Sequence, residues 1–506
     1  MRKILFFGTL LLFGTALVQG QSLSKSEMAS YAQGYFPEAL QEYREFLAIP
    51  NNGKIPEHRD QNVQWCLARF EALGFQTQTL VSEGIPHIFA ERSVAPEAKT
   101  ILFYMQIDGQ PVDSSEWFQD SPYEPVLKKK VADQWQIVGW DQLENGFDPD
   151  LRVFARSASD SKGPSMALIS ALQILQDHSM VPPYNLKVIM DFQEEWGSPA
   201  LPPLVKSKPE LFSADMMIIM DGTRHLSNLP TLAFGARGIA TITLTAFGST
   251  RNLHSGQYGN FAPNPTFGLA RLLGGMKDES GRVAIPGFYE GVNISEADRV
   301  AFASVPEDKE DIERSLGIAE AEQVGASYQE SMAYPSLNIR GMKAAWVGDE
   351  VRTIIPSEAI AEIDMRLVPE TDGLRQVNLV KQYILDQGYH LVDSLPTEQE
   401  RAQYSKLLNF DYDVGSQPFR SDMNSELGLW LEKSMQRAFG DQYVKIRTTG
   451  GSQPIAPFIS ILGIPAVSAR IPNPDNNIHA PNENLRLGNF LEGIQTCLAI
   501  LSQPID

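Results

Sequence analysis

The pattern of apolar and polar positions divides the chain into stretches with different periodicities. Residues 26–75 follow a helical pattern with one break at "AIPNNGKIP". Strand and helix patterns then alternate, and the strand segments "KTILFYMQI", "NLKVIMDF" and "ADMMIIMD" are almost continuously apolar. Because such strands are buried on both faces, this stretch predicts a mixed, mainly parallel sheet with helices on both faces.

The periodicity changes near residue 237. The segments "GIATITLTAFG" and "AIAEIDMRLVP" alternate between apolar and polar or small residues, which is typical of strands with one solvated face. The first pattern returns from residue 416 and ends in the helical segment "NFLEGIQTCLAILSQ". We therefore predict an α/β protein whose main domain is formed by residues 21–236 and 416–506, with an inserted α+β domain at residues 237–415.

The first 20 residues have a different character. A basic "MRK" precedes "ILFFGTLLLFGTALV", which carries no charge, and small and polar residues follow. This layout is typical of a cleaved secretory signal, so residues 1–20 predict a secreted or periplasmic protein. No later stretch reaches about 18 consecutive apolar residues, so we expect no membrane association after cleavage.

Composition and charge exclude some classes of partner. Apolar residues make up 43% of the chain, charged residues make up 21%, and the formal net charge is −20. Such an acidic protein is poorly suited to bind nucleic acid or an anionic membrane. Cys66 and Cys497 are too few for a disulfide framework. Their apolar helical surroundings favour buried thiols, and a single disulfide between them stays open.

Polar residues gather where the apolar strands end. A lone carboxylate is costly to bury there, although open α/β sheets build their sites at this edge. Each residue taken singly has another explanation as a helix cap or a turn. Together, their oxygen and imidazole groups predict a site for zinc, with manganese or cobalt as alternatives. The residues are Gln106 and Asp108, Asp160, Glu194 and Glu195, Asp221, and His479.

The adjacent glutamates, Glu194 and Glu195, indicate hydrolytic chemistry. Neighbouring residues on a strand or loop point in different directions, so one carboxylate can bind a metal ion while the other transfers a proton. A free carboxylate beside a metal site is the usual general base for hydrolysis.

Seven segments in order resemble those of the co-catalytic metallopeptidases that include carnosinase, aminoacylase, carboxypeptidase G and succinyl-diaminopimelate desuccinylase. "FYMQIDGQPVD" resembles the family's "YGHxDVQPVD", "FARSASDSKGP" resembles "GRGASDDKGP", and "DFQEEWGS" resembles "EGxEExGS". "NLHSG" and "RTIIPSEAIAEIDMRLVP" resemble segments of the family's lid domain. "TTGGSQPI" resembles "REGGSIPV", and "NNIHAPNENLRL" resembles the terminal "xxxHxxNExL".

The resemblance implies a metallopeptidase-type catalytic domain with an inserted lid and dimerisation domain. It implies that Asp160 bridges two metal ions, that Glu195 and His479 complete one site, and that Asp221 serves the other. It also implies that Glu194 is the general base and that Asp108 orients neighbouring groups. His254 would be the oxyanion donor, and a second subunit of a homodimer can supply this histidine. Substrate contacts are implied for Arg366, Thr353, Gly450, Gly451 and Ser452.

The function implied is the cleavage of an amide bond in a dipeptide or short peptide. An aspartate at the position of Asp221 is typical of the dipeptidase relatives, and a glutamate is typical of the acylase and carboxypeptidase relatives. A deacylase acting on N-acyl amino acids is the alternative, because Arg366 suits the carboxylate of either substrate. We expect the segment "GIATITLTAFGS" to be an edge strand at the dimer interface.

Gln106 departs from the family, whose first metal ligand is a histidine at this position. A carboxamide oxygen is a poorer zinc ligand than an imidazole nitrogen. Three outcomes stay open: two metal ions with Gln106 bound weakly or through water, one metal ion at Asp160, Glu195 and His479, or a binding protein without catalysis. His58 or His87 could replace the missing histidine in space.

Overall fold

A computed structural model describes residues 22–453 and 455–505, apart from the side chains of residues 144 and 145. The predicted signal at residues 1–20 lies outside this range. The helices of the described part are α1 (Lys25–Leu47), α2 (Pro56–Ala72), α3 (Lys162–Asp177), α4 (Leu201–Ser207), α5 (Pro209–Phe212), α6 (Ser255–Tyr258), α7 (Pro265–Gly274), α8 (Glu296–Ala303), α9 (Lys309–Leu316), α10 (Tyr328–Ser331), α11 (Gly373–Asp386), α12 (Glu398–Gln403), α13 (Glu426–Phe439), α14 (Ala456–Leu462) and α15 (Leu487–Leu501).

The strands of the same residues form two larger sheets and several smaller ones. In chain order they are β1 (Gln76–Ser82), β2 (Ile85–Arg92), β3 (Thr100–Gln106), β4 (Val126–Val131), β5 (Gln134–Val138), β6 (Arg152–Phe154), β7 (Asn185–Asp191), β8 (Met216–Ile219), β9 (Thr231–Ala233), β10 (Gly235–Ala236), β11 (Gly238–Phe247), β12 (Leu253–His254), β13 (Ser336–Lys343), β14 (Ile354–Ile355), β15 (Glu358–Leu367), β16 (His390–Val392), β17 (Leu407–Val414), β18 (Phe419–Arg420), β19 (Val444–Ile446), β20 (Ala466–Arg470) and β21 (Asn484–Arg486).

The main sheet has eight strands in the order β1-β2-β7-β3-β8-β20-β9-β19. Its central neighbours β7, β3, β8 and β20 run parallel, whereas β2 pairs with β7 and β9 pairs with β20 in antiparallel fashion. The predicted mixed, mainly parallel sheet is therefore confirmed. Because the four central strands run the same way, their carboxyl ends lie along one edge of the sheet.

Both faces of this sheet are covered by helices. Along β3, Phe103 and Met105 pack into a core with α1, α3 and α15, whereas Leu102 and Tyr104 pack into a second core with α4 and α14. Successive strand residues point to opposite faces, so a strand between two helical layers must be apolar at nearly every position. This explains the continuously apolar run that ends at Gln106.

The second large sheet is built from residues 238–414, in the order β13-β15-β11-β17-β16. Its strands are antiparallel except for the pair β16 and β17. Buried and half-buried residues alternate along β11 and β15, and the buried ones pack against α7 and α11. The two-residue periodicity predicted for "GIATITLTAFG" is therefore present.

The prediction that this segment is an edge strand is wrong. It forms β11, the central strand, with β15 on one side and β17 on the other. Alternation reports which face of a strand is buried and carries no information about its position across the sheet. The edges of this sheet are β13 and β16.

Cys66 and Cys497 are both buried and carry free thiols, as their apolar surroundings favoured. Among the described residues, none of the helices combines the length and the apolar character that crossing a membrane requires.

Candidate active site

The carboxyl ends of the central strands open into a cavity of about 220 Å³. Gln106 ends β3, Glu194 follows β7, Asp221 follows β8, and Arg470 ends β20. The cavity lies at the edge of the sheet where the sequence predicted a site. Its lining residues are Gln106, Asp160, Glu194, Asp221, Gly222, Thr223, Gly451, Ser452, Gln453, Arg470, Ile478 and His479.

Three predicted ligands meet at one end of the cavity, which we call the His479 end (Asp160, Glu195 and His479). The imidazole Nε2 of His479 lies 2.9 Å from Asp160 Oδ2 and 3.2 Å from Glu195 Oε2. One ligand atom from each residue lies within 4.8 Å of the other two. Two carboxylates and an imidazole in this arrangement fit a divalent metal ion such as zinc with an open coordination position.

A buried carboxylate that sequence reasoning missed holds the loop of Asp160. β21 pairs with β6 and places Glu483 under residues 157–160. The Glu483 carboxylate accepts hydrogen bonds of 2.8 Å from the backbone N–H groups of Ser157, Ser159 and Asp160, and it pairs with Arg156 at 2.8 Å. The signal was present in "HAPNENLRL", where an acidic residue follows His479 by four positions.

Asp108 lies behind the Glu194–Glu195 pair and does not line the cavity. Its two carboxylate oxygens accept from the backbone N–H groups of Glu194 (2.9 Å) and Glu195 (3.3 Å). The short 3₁₀ helix Glu194–Trp196 turns the two glutamates in different directions. Glu195 reaches His479, whereas Glu194 faces the cavity.

The electrostatics of the cavity suit a cation. Burial and then the Glu195 carboxylate raise the pKa of Asp160 to about 8. Burial and the carboxylates of Asp221 and Asp160 raise the pKa of Glu194 well above its usual range. Hydrogen bonds to Asp160 and Glu195 raise the pKa of His479 to about 10. A divalent cation among these groups offsets the repulsion that raises the carboxyl pKa values.

The part of the site around Asp221, which we call the Asp221 end (Gln106, Ser161, Asp221 and Gln453), is organised differently, although the Ser161 hydroxyl also lies 3.1 Å from Asp160 Oδ1. Asp221 Oδ1 accepts from Ser161 Oγ at 2.8 Å, and Asp221 Oδ2 accepts from Gln453 Nε2 at 3.1 Å. Gln106 is fully buried, and neither atom of its amide has a hydrogen-bond partner.

These residues do not fit a second metal ion of the kind that the resemblance implied. The first ligand is a neutral amide, and both oxygens of Asp221 already accept hydrogen bonds. Neither alternative histidine replaces the missing ligand. His87 is buried with its Nε2 at 3.6 Å from Asp191, and His58 Nδ1 accepts from the backbone of Asn52.

Sequence reasoning also missed Ser161 and Gln453. Both stand in segments that resembled the family, where "ASDDKG" reads "ASDSKG" and "GGSIPV" reads "GGSQPI". The substitutions were visible in the sequence, but their convergence on Asp221 was not. Like Gln106, they lie at the Asp221 end of the cavity.

Besides Asp108, Glu195 and Gly450, three predicted site residues do not line the cavity, namely His254, Thr353 and Arg366. All three belong to the region of residues 238–414. His254 and Thr353 are exposed neighbours where β12 meets β14. Arg366 Nε lies 3.8 Å from Asp364 Oδ2. Gly451 and Ser452 do line the cavity.

Comparisons with known proteins show to which family the chain is similar. The family model described as peptidase family M20/M25/M40 matches residues 102–503. The chain is 26% identical to the Beta-Ala-His dipeptidase of Mus musculus over 486 residues, covering 90% of each protein. It is 25% identical to the Cys-Gly metallodipeptidase dug1 of Schizosaccharomyces pombe, covering 81% of each. The crystal structure of the M20 family metallo-carboxypeptidase Sso-CP2 from Sulfolobus solfataricus superposes with a TM-score of 0.74 at 27% identity, over 92% of this chain and 99% of that one.

Proposed function

Because the chain belongs to the peptidase family M20/M25/M40 and is therefore a metal-dependent peptidase, we propose that it hydrolyses dipeptides with one zinc ion at the His479 end. The observation that carries this proposal is the position of Glu194. Glu194 lines the cavity together with the proposed ligands Asp160 and His479, without being one of the three ligands. A glutamate in this position is suited to act as general base.

The residues that form the proposed metal site and those around it have the following proposed tasks. Asp160, Glu195 and His479 would hold the ion, which would supply positive charge for polarising the scissile carbonyl. Glu194 takes a proton from the attacking water and delivers it to the leaving amine. Asp108 positions Glu194 and Glu195 through their backbone N–H groups. Gly451 and Ser452 form the wall along which the substrate lies.

The substrate class is proposed from the relatives. Two of them are named for the dipeptides Beta-Ala-His and Cys-Gly, and these relatives match most of the chain. A deacylase for N-acyl amino acids is the alternative within the family. The guanidinium group of Arg366, to which the family resemblance gives a substrate contact, would suit the carboxylate of either substrate.

The proposal is tested with a panel of β-alanylhistidine, cysteinylglycine, alanylalanine and N-acetylalanine. We expect hydrolysis of at least one dipeptide in the presence of zinc. Glu194→Gln should lower kcat by about 10²- to 10⁴-fold, because it removes the base and preserves the shape of the side chain. Zinc content, counted by elemental analysis, should be unchanged in this variant.

The possible results separate the proposed function from its alternatives. Full activity in Glu194→Gln would show that another group is the base. Hydrolysis of N-acetylalanine alone would favour the deacylase. Failure to hydrolyse any member of the panel would favour a binding protein.

We further propose a homodimer in which His254 acts in the partner's active site. His254 is exposed and does not line the cavity of its own chain, although the family resemblance gives it the role of oxyanion donor. The same region exposes two large aromatic side chains, Phe261 (86% exposed) and Phe267 (66% exposed). Exposed apolar groups of this kind are common at protein interfaces.

A complementation experiment tests this arrangement. Glu194→Gln and His254→Ala should each be inactive alone. Mixing them under exchange conditions should restore activity, because one site of each mixed dimer then has both an intact Glu194 and an intact partner histidine. If the mixture stays inactive while light scattering shows dimers, His254 does not act across the interface.

We also propose that the protein is exported, which rests on the signal pattern of residues 1–20. The measurement is the mass and N-terminal sequence of the protein recovered from the producing cell's medium or periplasm. Recovery of the whole chain from the cytoplasm would contradict this proposal.

A further inference from the structure

We infer that the Asp221 end of the cavity binds the free ammonium group of an aminoacyl substrate, where a second metal ion would otherwise lie. This inference rests on the dipeptidase function proposed above. It assigns one metal ion per chain, at the His479 end, and it gives Gln106 a role in substrate recognition.

The first argument concerns the hydrogen bonds of Asp221. Its two oxygens accept from a hydroxyl and from an amide, and Gln453 is itself held by Ser468 Oγ at 3.3 Å. A divalent ion there would share the oxygens of Asp221 with these donors and would meet a neutral amide where the family has an imidazole. Hard cations accept amide oxygens, but zinc prefers nitrogen, thiolate and carboxylate ligands.

The second argument concerns Gln106, whose amide is a buried donor and acceptor without a partner. Leaving such a group unsatisfied costs about 1–3 kcal/mol, so buried polar atoms are nearly always paired. Its side chain lines the cavity beside Asp221. An ammonium group has three N–H donors, and Gln106 Oε1 with the carboxylate of Asp221 offers acceptors for them. The orphaned amide therefore points to a ligand that donates hydrogen bonds.

The third argument concerns charge. Arg470 packs against Gly222, and a Cβ at that position would lie 2.7 Å from the guanidinium carbon. When the carboxylates of Asp160, Glu194, Glu195 and Asp221 are all ionised, one divalent ion and this guanidinium leave a single negative charge. A monovalent ammonium group neutralises that charge, whereas a second divalent ion would exceed it. Charge balance in a partly buried cavity therefore favours the ammonium group.

The fourth argument concerns the distance between the amine and the carbonyl of the substrate. In an α-aminoacyl group the amine nitrogen and the carbonyl oxygen are separated by three bonds and lie about 3 Å apart. Two metal ions in a shared site lie about 3.5–4 Å apart. A scissile carbonyl at the His479 end therefore places its own α-amine near the position that a second ion would take.

The first measurement is the number of zinc ions per chain, by elemental analysis of the purified wild-type protein after dialysis against zinc. The expected result is one. A stoichiometry of two tightly bound ions overturns the inference, whatever the protein hydrolyses.

The second measurement compares two ligands that differ by one group. N-propionylalanine has a hydrogen atom in place of the ammonium group of alanylalanine and is otherwise the same molecule. Calorimetric titration of the zinc-loaded Glu194→Gln variant should show a Kd for alanylalanine lower by about 10- to 100-fold, the range expected for losing a charged hydrogen-bonding group. Equal affinity for the two ligands overturns the inference.

The third measurement assigns the effect to Gln106. The change Gln106→Leu, made in the Glu194→Gln background, keeps the size of the side chain and removes the amide. It should weaken alanylalanine binding by about tenfold and leave N-propionylalanine binding unchanged, as expected when one hydrogen bond to a charged group is lost. Because the amide has no partner in the protein, Gln106→Leu should not lower the melting temperature. Equal weakening of both ligands would show a structural effect and would contradict the assignment.

These results separate this inference from the proposed function. Hydrolysis of dipeptides with equal affinity for the two ligands would refute the ammonium site and leave the dipeptidase function standing. A strong preference for alanylalanine without hydrolysis of any peptide would support the ammonium site and refute the proposed function.

Discussion

The carboxylates at the His479 end and at the Asp221 end of the cavity have different hydrogen-bond partners. At the His479 end, Asp160 and Glu195 converge on one imidazole, and their negative charges repel each other. At the Asp221 end, the carboxylate accepts from Ser161 and Gln453. The comparison shows that an acidic residue after a buried strand does not by itself define a metal site. The groups that donate hydrogen bonds to its oxygens also influence what it can bind.

The two ends also differ in what supports them. Asp160 is held from below by the buried carboxylate of Glu483, which accepts from three successive parts of the loop. Residues behind a ligand set tune metal affinity because they hold the ligands in a fixed geometry. At the Asp221 end, by contrast, Gln106 has neither atom of its amide paired. The His479 end is therefore organised for an ion before one binds, and the Asp221 end has an open donor and acceptor.

The largest expected effect is on zinc binding, and it tests the difference between the two ends directly. His479→Ala should lower zinc affinity by at least about 100-fold and abolish hydrolysis, because it removes a proposed ligand. The matched change Asp221→Asn should retain one zinc ion per chain. Both are measured by calorimetric titration of the metal-free protein. Loss of zinc from Asp221→Asn, with retention in His479→Ala, would reverse the assignment of the two ends.

The next effect is on stability, and it tests how Glu483 supports the loop of Asp160 at the His479 end. Glu483→Ala leaves Arg156 and several loop N–H groups buried without their acceptor, so it should lower the free energy of unfolding by about 3–5 kcal/mol. Urea unfolding of the metal-free protein measures this change. The control is Asp150→Ala, which removes an exposed partner of Arg486 and should cost less than about 1 kcal/mol. A similar cost for both variants would contradict the special role of Glu483.

A smaller effect is expected in the pH dependence of zinc affinity. The pKa values of Asp160 and His479 are both raised, and the hydrogen-bonded pair that they form holds a proton at neutral pH in the metal-free protein. Zinc must displace protons to bind, and its affinity should rise with pH by about tenfold per unit for each proton released. Titrations in buffers with different ionisation enthalpies count the released protons. Affinity independent of pH between about 6 and 8 would show that these groups are not the ligands.

The smallest expected effect is the loss of one hydrogen bond to Asp221. Ser161→Ala removes one donor to Asp221 and should cost about 1 kcal/mol of stability, without changing the number of zinc ions bound. The matched change Ser159→Ala removes a hydroxyl that donates to Glu483 at the other end. If Ser161→Ala instead gained a second zinc ion, the hydroxyl would be what keeps that ion out.

Much of the fold and part of the site could be predicted from the sequence. Continuous apolar runs gave the two-sided sheet, and two-residue alternation gave the strands of the second sheet, because burial on one or both faces dictates which positions must be apolar. The polar residues at the strand ends located the cavity. The edge position of β11 was predicted wrongly, because strand order depends on contacts between distant segments.

By itself the sequence determined the residue types at each strand end, including the glutamine at position 106. Only the tertiary structure decided that Ser161 and Gln453 meet at Asp221, and that Glu483 lies under Asp160. The residues of the Asp221 end come from four separate parts of the chain. Parallel pairing of β3 and β8 brings two of them, Gln106 and Asp221, to one edge of the sheet. Hydrogen bonds between such residues depend on distances that no local pattern encodes. The local pattern of the chain therefore located the site, and the long-range packing decided which lone pairs are free to bind a ligand.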